Sequence, residues 1–318
     1  MAVSRALVTG GAGFIGSHLC ERLIEEGLRV TVLDDLSVGR AENVPPGAEL
    51  VVGDVCDPDV VSPLTARADV VFHLAAHVSI RASMAGFCHD ARVNLMGTVN
   101  LLDACARGPS PRKFILASSM AVYADAPSPE PISEDHSTEP LAPYGVGKLA
   151  SEHYVKLVAE QAGFQAACLR YFNTYGPRQG YTPYVGVVTI FIRRLLSGQA
   201  PVIFGDGGQC RDFVHVGDIV EANILAMRED HERPRIYNVG SGKGTTVAEL
   251  ARELCGRLAP DRSPVHVEPH VGELKYSVAD IRRAQEELGY EPRGELKRDL
   301  DTVIHWCRDQ VSTQPGVA

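Results

Sequence analysis

Residues 8–19, VTGGAGFIGSHL, place Gly10, Gly13 and Gly16 between an apolar run and a helical pattern. The run RALVTG (5–10) reads as a strand. Residues 14–27 read as an amphipathic helix with Ile15, Leu19, Leu23 and Ile24 on one face. Glycines at such a junction permit a tight turn, let a pyrophosphate approach the backbone, and allow close helix–sheet packing. The helix-start amides around Gly13, Phe14, Ile15 and Gly16, with the helix dipole, favour phosphate charge. Because strand and helix flank the triplet, it predicts a dinucleotide site on a βαβ unit. The next strand, LRVTVLD (28–34), ends in Asp34, 18 residues beyond Gly16, where a carboxylate can hold both adenosine-ribose hydroxyls. Its charge repels a 2′-phosphate and favours NAD over NADP, although Arg40 nearby is a residue that accommodates such a phosphate.

The alternation continues. ELVVGD (49–54), ADVVFHLAA (68–76) and KFILASS (113–119) read as strands, a long helix covers about 90–107, and a further helix (144–162) precedes AACLRYF (166–172). Near-continuous apolar strands separated by helices predict an α/β fold with a doubly wound parallel sheet buried on both faces. Asp54 and Val55, after the third strand, are expected to flank the adenine. Past residue 172 the composition changes: NTYGPRQGYTPYVG is rich in Gly, Pro and Tyr and suits a loop-built binding surface. The expected division is therefore 1–172 for the cofactor, with a strand near 236–240 returning to its sheet, and 173–318 mainly for a smaller lobe with its own helices.

Of the 318 residues, Lys and Arg number 31 and Asp and Glu 40, a net charge of −9. An acidic chain without a basic run is a poor fit to nucleic acid or an anionic membrane, and both are set aside as partners. The N-terminal apolar stretch is too short and too soon broken by glycine for a signal peptide, and no stretch reaches bilayer length, so a cytoplasmic location is expected. The eight cysteines are scattered without a Cys-x-x-Cys pair and read as free thiols. The histidines lack metal-ligand spacing, so no metal is expected.

PYGVGKLASEH (143–153) sets Tyr144 and Lys148 four residues apart, on one face of the helix. Tyrosine is a poor base at its ordinary pKa near 10. A neighbouring ammonium and a cationic nicotinamide are both expected to lower it. Upstream, FILASSMAVY (114–123) ends an apolar run on Ser118 and Ser119. No histidine base accompanies these serines in a recognisable motif, so Ser119 reads as a hydrogen-bond donor rather than a nucleophile.

TGGAGFIG, HLAA, SSMAVY, YGVGK, RYFN and RDFVHVGD occur in that order, and the chain resembles the extended short-chain dehydrogenase/reductases that act on nucleotide sugars. The resemblance runs from Leu7 to about Trp306. It implies a Rossmann-type NAD domain with a smaller C-terminal substrate lobe, Tyr144 as general base, Lys148 on the nicotinamide ribose, and Ser119 on the reacting hydroxyl. It further implies that Leu74, Ala75, Ala76 and Asn94 line the cofactor side, that Tyr171 lies near the nicotinamide, and that Asn173 and Arg211 contact the substrate diphosphate. Arg211 has an independent rationale in the match of guanidinium to phosphate. Phe204, in PVIFGDG, is expected near the base or in the core. His270, in PHVGE, stands where many relatives carry a phosphate-binding Arg.

Members of this group share a first step, oxidation at sugar C4 to a 4-keto sugar with transfer of a hydride to NAD. The resembling 4,6-dehydratases follow the Ser/Thr with Asp-Glu, and the decarboxylases carry a Glu in this stretch. Met120 and Ala121 hold those places here and transfer no protons. The outcome that needs no further acid or base is return of the hydride to the other face, which predicts a 4-epimerase acting on a UDP-hexose. A uronate remains an alternative, because Arg178, with Gln179 and the GYTPYVG loop, can meet C6 and bind a carboxylate. An N-acetylhexosamine, a decarboxylase or dehydratase with displaced groups, and an NAD-binding protein without turnover stay open as well. The helices near 90–107 and 144–162 resemble the family's dimerisation pair, so a homodimer is expected.

Overall fold

Strands that must bury both faces need helices above and below, and a computed structural model shows that arrangement. It describes residues 3–78, 80–109, 111–126, 128–180, 186–269 and 274–313. In chain order the first half contains β1 (Arg5–Thr9), α1 (Phe14–Glu25), β2 (Arg29–Asp34), β3 (Glu49–Val52), α2 (Pro58–Thr65), β4 (Val70–His73), α3 (Ile80–Ala85) and α4 (Phe87–Ala91). A π-helical turn, Arg92–Met96, joins α4 to α5 (Gly97–Arg107), followed by β5 (Lys113–Ser119), α6 (Pro143–Ala162) and β6 (Gln165–Tyr171). The second half contains β7 (Asn173–Tyr175), α7 (Val187–Leu196), β8 (Val202–Phe204), β9 (Cys210–His215), α8 (Val216–Arg228) and β10 (Arg235–Val239). It ends with β11 (Gly244–Thr246), α9 (Val247–Leu258), β12 (Val265–Val267), β13 (Tyr276–Ser277), α10 (Arg282–Leu288) and α11 (Leu296–Thr313).

The central sheet has seven parallel strands in the order β10-β6-β5-β4-β1-β2-β3. The order reverses beside β1, and a crevice at the carboxyl ends of the strands is where such sheets bind ligands. One face packs Leu19, Cys20 and Leu23 of α1 with Ile219 and Val220 of α8. The other packs Val61, Leu64, Leu101, Leu102, Val155 and Ala159 of α2, α5 and α6. Each fully buried leucine contributes roughly 1.5–3 kcal/mol relative to exposure. A separate core joins Phe191, Ile192, Leu250, Leu254, Leu300 and Val303 of α7, α9 and α11. Short strands β11, β9, β13 and β7 form the small lobe's sheet.

The long helix expected over 90–107 is broken in register. Asn94 Nδ2 reaches back to Asp90 Oδ1 at 2.9 Å, within the segment where the backbone widens into the π turn. The strand expected over 68–76 is regular only for Val70–His73, because the chain leaves the sheet at Leu74. The return to the large sheet is wider than one strand: α8 packs on α1, β5 and β6 before β10 pairs with β6. No helix among the described residues is long and apolar enough to cross a membrane.

Candidate active site

The glycine junction is built as the sequence implies. Gly10 ends β1 at φ +72°, and a Cβ there would lie 2.7 Å from the Ala75 amide nitrogen. At Gly16 a Cβ would lie 2.2 Å from the Gly10 carbonyl oxygen, so neither position has space for a side chain. Gly13 caps α1 without a side-chain hydrogen bond. The first-turn amides of a helix have no carbonyl partner within it. This end of α1 therefore suits a phosphate group. Phe14 turns its ring edge-on to His18, with centroids 6.1 Å apart, and Ile15 packs on the sheet core.

Asp34 ends β2, is buried, and accepts from the Ala12 amide at Oδ2 and the Leu36 amide at Oδ1, each at 2.9 Å. Burial pushes its carboxyl above the usual range, and these two amides pull it back. Asp54 takes the Cys56 amide and the Arg92 guanidinium, each at 2.8 Å, while the Val55 carbonyl accepts from Asn100 at 2.8 Å. The Leu74 amide donates to the Thr9 carbonyl and the Ala75 amide to Thr9 Oγ1, which sets Leu74–Ala76 across from the glycine turn. These groups lie at the carboxyl ends of β1, β2, β3 and β4, beside the amides that open α1.

Alongside lie the ends of β5 and β6 and the start of α6. Ser119 lies in register with Tyr171, and the Ser119 hydroxyl hydrogen-bonds the Tyr144 phenol. Lys148 Nζ sits 5.9 Å from the Tyr144 ring centre and donates to the Ala117 carbonyl at 2.8 Å. The structure thus brings Ser119, Tyr144 and Lys148 together, with both helix residues buried. Their electrostatics differ from the sequence expectation. Burial raises the Tyr144 phenol to about 12, and the Ser119 hydrogen bond only partly opposes it. Burial also lowers Lys148 to about 8 against the charges of Asp90 and Glu152. In the chain alone, desolvation sets the direction of the phenol's shift, and the Asp90 charge adds to it.

Three buried side chains that support this cluster were not singled out from sequence. Asp90, on α4, bonds Asn94 and lies 3.8 Å from His77 Nδ1; its charge acts on both Lys148 and Tyr144. Glu152 is one helical turn beyond Lys148, accepts from Ser118 Oγ at 2.5 Å, and forms a two-pronged pair with Arg170. Its spacing from Tyr144 and Lys148 along α6 was a readable signal. His73 takes a hydrogen bond from Thr9 at Nδ1 (2.8 Å) and passes one to Thr98 at Nε2 (2.9 Å), since Thr98 donates onward to the Asn94 carbonyl. Burial drives His73 down to about 3, in keeping with a neutral ring. Asn94 itself is engaged on both amide atoms, by Asp90 and by the His77 backbone.

Met120 and Ala121 form a short 3-10 turn after Ser119, and the Ala121 amide donates to Ser119 Oγ at 3.2 Å. The start of α6 presses on this turn, so that a Cβ at Gly145 would lie 2.2 Å from the Ala121 carbonyl oxygen. Tyr171 is buried, with its hydroxyl on the Asn223 amide. On the small lobe, Asn173 opens β7 with its Oδ1 buried and without a partner, and β7 pairs with β9, which carries Arg211. The Arg211 guanidinium donates to the Cys210 carbonyl at 2.9 Å. Phe204 ends β8 opposite Val267. The guanidinium of Arg178, expected to meet the sugar, bonds Glu21 and His18 of α1. His270 and residues 181–185 of the GYTPYVG loop lie outside the described residues.

A model of the NAD dependent epimerase/dehydratase family matches residues 6–240. A UDP-glucose 4-epimerase of Mycolicibacterium smegmatis is 39% identical over 313 residues, covering 96% of this chain and 99% of that protein. The crystal structure of a UDP-glucose 4-epimerase from Thermotoga maritima with UDP-glucose superposes with a TM-score of 0.92 at 37% identity, covering 96% and 99% of the two chains. That of the Thermus thermophilus UDP-glucose 4-epimerase in complex with NAD gives 0.88 at 36% identity, covering 96% and 99%. With the glycine junction, Asp34 and the Ser119–Tyr144–Lys148 cluster gathered around one parallel sheet, the chain belongs to the NAD dependent epimerase/dehydratase family.

Proposed function

We propose that the chain is an NAD-dependent 4-epimerase that inverts C4 of a UDP-hexose through a transient 4-keto sugar. One observation carries the choice of reaction: Ser119, Tyr144 and Lys148 meet at the end of β5, while the adjoining turn offers only Met120 and Ala121. A dehydratase or decarboxylase requires an acid or base that this turn lacks. The named relatives support a UDP-hexose as substrate.

The residues fit the cofactor. The close backbone packing allowed by Gly10 and Gly16 sets the turn, and the amides opening α1 would hold the pyrophosphate beside Gly13, Phe14 and Ile15. Asp34 would take the adenosine ribose, and Asp54 and Val55 would flank the adenine. Leu74, Ala75, Ala76, Asn94, Lys148 and Tyr171 would line the nicotinamide side. When bound, NAD supplies a reversible two-electron acceptor whose ring charge favours the Tyr144 phenolate. Tyr144 takes the proton of the sugar C4 hydroxyl and later returns it, so no net proton leaves the site. Ser119 holds that hydroxyl in line with the phenol. Lys148 keeps a positive charge beside both. Asn173, with its unpartnered Oδ1, and Arg211 would bind the nucleotide part of the substrate, and Phe204 would bound the base.

In this reading the large sheet, with α8 and β10, serves the cofactor and the small lobe serves the substrate. The eight free cysteines support a reducing, cytoplasmic setting. We further infer a homodimer through α3–α6, where Met84, Phe87, Leu141 and Val146 are exposed together. The deciding experiment incubates purified protein with UDP-glucose, UDP-glucuronate or UDP-N-acetylglucosamine and follows products by NMR. The C4 epimer of UDP-glucose is expected; release of CO2 or a stable 4-keto-6-deoxy sugar would overturn the reading. Replacing Tyr144 with Phe should cost about 10²-fold or more in turnover with NAD still bound.

A further inference from the structure

Arg178 has a positive φ of +67°, a conformation that side chains other than glycine rarely adopt. Strain of this kind persists where surrounding contacts enforce it. The contacts here are specific. Nη1 donates to Glu21 Oε1 at 3.0 Å and Nη2 to Glu21 Oε2 at 2.5 Å, a two-pronged match of guanidinium to carboxylate. Nη2 also donates to His18 Nδ1 at 2.6 Å, while His18 Nε2 donates to the Pro177 carbonyl at 3.0 Å. Burial holds His18 below its usual pKa, which keeps Nδ1 available as an acceptor. Phe14, His18 and Glu21 follow one another along a single face of α1. Two residues before the arginine, Gly176 lies close against Phe14 and Val216. Immediately after it, Gln179 donates to the Thr174 carbonyl at 3.0 Å and accepts from Thr189 of α7 at 2.7 Å.

We propose that Arg178 is a positioning residue, which with Glu21 and His18 clamps the end of β7 to the cofactor-side helix α1 and so fixes the nucleotide-sugar subsite relative to the cofactor. The clamp joins two elements with different duties. The amino end of α1 carries the phosphate-facing amides, and β7 carries Asn173. Breaking it leaves both half-sites intact and loosens the distance between them. This inference rests on the epimerase reading for the identity of the substrate. It makes Arg178 a determinant of substrate placement without contact to the sugar.

A double-mutant cycle separates a clamp from a substrate contact. Glu21→Gln, Arg178→Met and the double variant are compared for KM and kcat with UDP-glucose, for UDP-glucuronate binding, and for NAD content and thermal midpoint. For a clamp, either single change raises KM about tenfold and the double change raises it no further, because both remove one coupled contact. NAD content stays unchanged, and Arg178→Lys, which keeps the charge but loses the fork, recovers part of the loss. A normal KM in Glu21→Gln beside a large loss in Arg178→Met, greatest with UDP-glucuronate, would overturn the clamp and make Arg178 a carboxylate ligand. Additive effects, or none, would also overturn it. A parent protein that fails to convert UDP-glucose would sink the epimerase reading instead; the cycle would then be read from UDP-glucose binding.

Discussion

The balance of charge around Lys148 decides how the site responds to pH. The ammonium is buried, which drives it down to about 8, and the first charge that holds it up is Asp90, ahead of Glu152 and Cys168. In the proposed mechanism Lys148 supports the Tyr144 phenolate only while protonated, so turnover should fall as pH rises through about 8. Replacing Asp90 with Asn removes a raising influence and moves this alkaline limb to lower pH. Asp90 also raises Tyr144, so the same change eases ionisation of the base and moves the acid limb down as well. The whole profile of log(kcat) against pH should therefore slide toward acid. A profile that keeps its limbs and loses only height would show that Asp90 acts through packing. Nothing in the sequence pointed to Asp90, because its partners His77, Asn94 and Lys148 meet it from the loop after β4, the π turn and α6 rather than through one motif.

Helix α6 carries Tyr144, Lys148 and Glu152 at four-residue intervals, so whatever fixes one fixes the others. The anchor is the Glu152–Arg170 pair, both side chains 3% exposed, with Ser118 and the Tyr123 ring completing the enclosure. Leaving one member of a buried pair alone costs about 3–5 kcal/mol. Arg170→Met should lower the unfolding free energy by that amount, read as a lower urea midpoint at unchanged slope, whereas the double change with Glu152→Gln should recover part of it. A loss under about 1 kcal/mol would mean that water or a shifted side chain compensates the carboxylate. The central strands and these helices were legible because a sheet buried on both faces writes continuous apolar runs, as in KFILASS. The small lobe's short strands were not, since β7, β8, β11, β12 and β13 have at most three residues, too short to show a period. Arg178 hid its ion pair for a related reason. Its sequence neighbours suggest a sugar-facing loop, yet its partner Glu21 lies 157 positions earlier, a pairing that only the fold creates.

At the scale of the molecule, one surface stays unexplained by a single chain. Met84, Phe87, Leu141 and Val146 are each more than half exposed and line one groove between α3, α4 and α6, with Tyr154 and Leu157 also exposed on α6. Scattered exposed apolar residues are ordinary, but a contiguous group of this size marks an interaction surface. A twofold dimer lets one patch cover its own copy without a second complementary surface. Helix α6 would then join the dimer contact to the site, since Val146 sits between Tyr144 and Lys148 in sequence and faces solvent while they are buried. The expected sedimentation mass is twice the 34.3 kDa of the chain. Combining Phe87→Asp with Leu157→Asp should yield a monomer with an unchanged circular dichroism spectrum, because neither side chain belongs to a core cluster. Loss of turnover in that monomer would show that α6 needs its partner to hold Tyr144. A parent chain sedimenting at 34.3 kDa at micromolar concentration would remove the dimer and leave the groove without a self-partner.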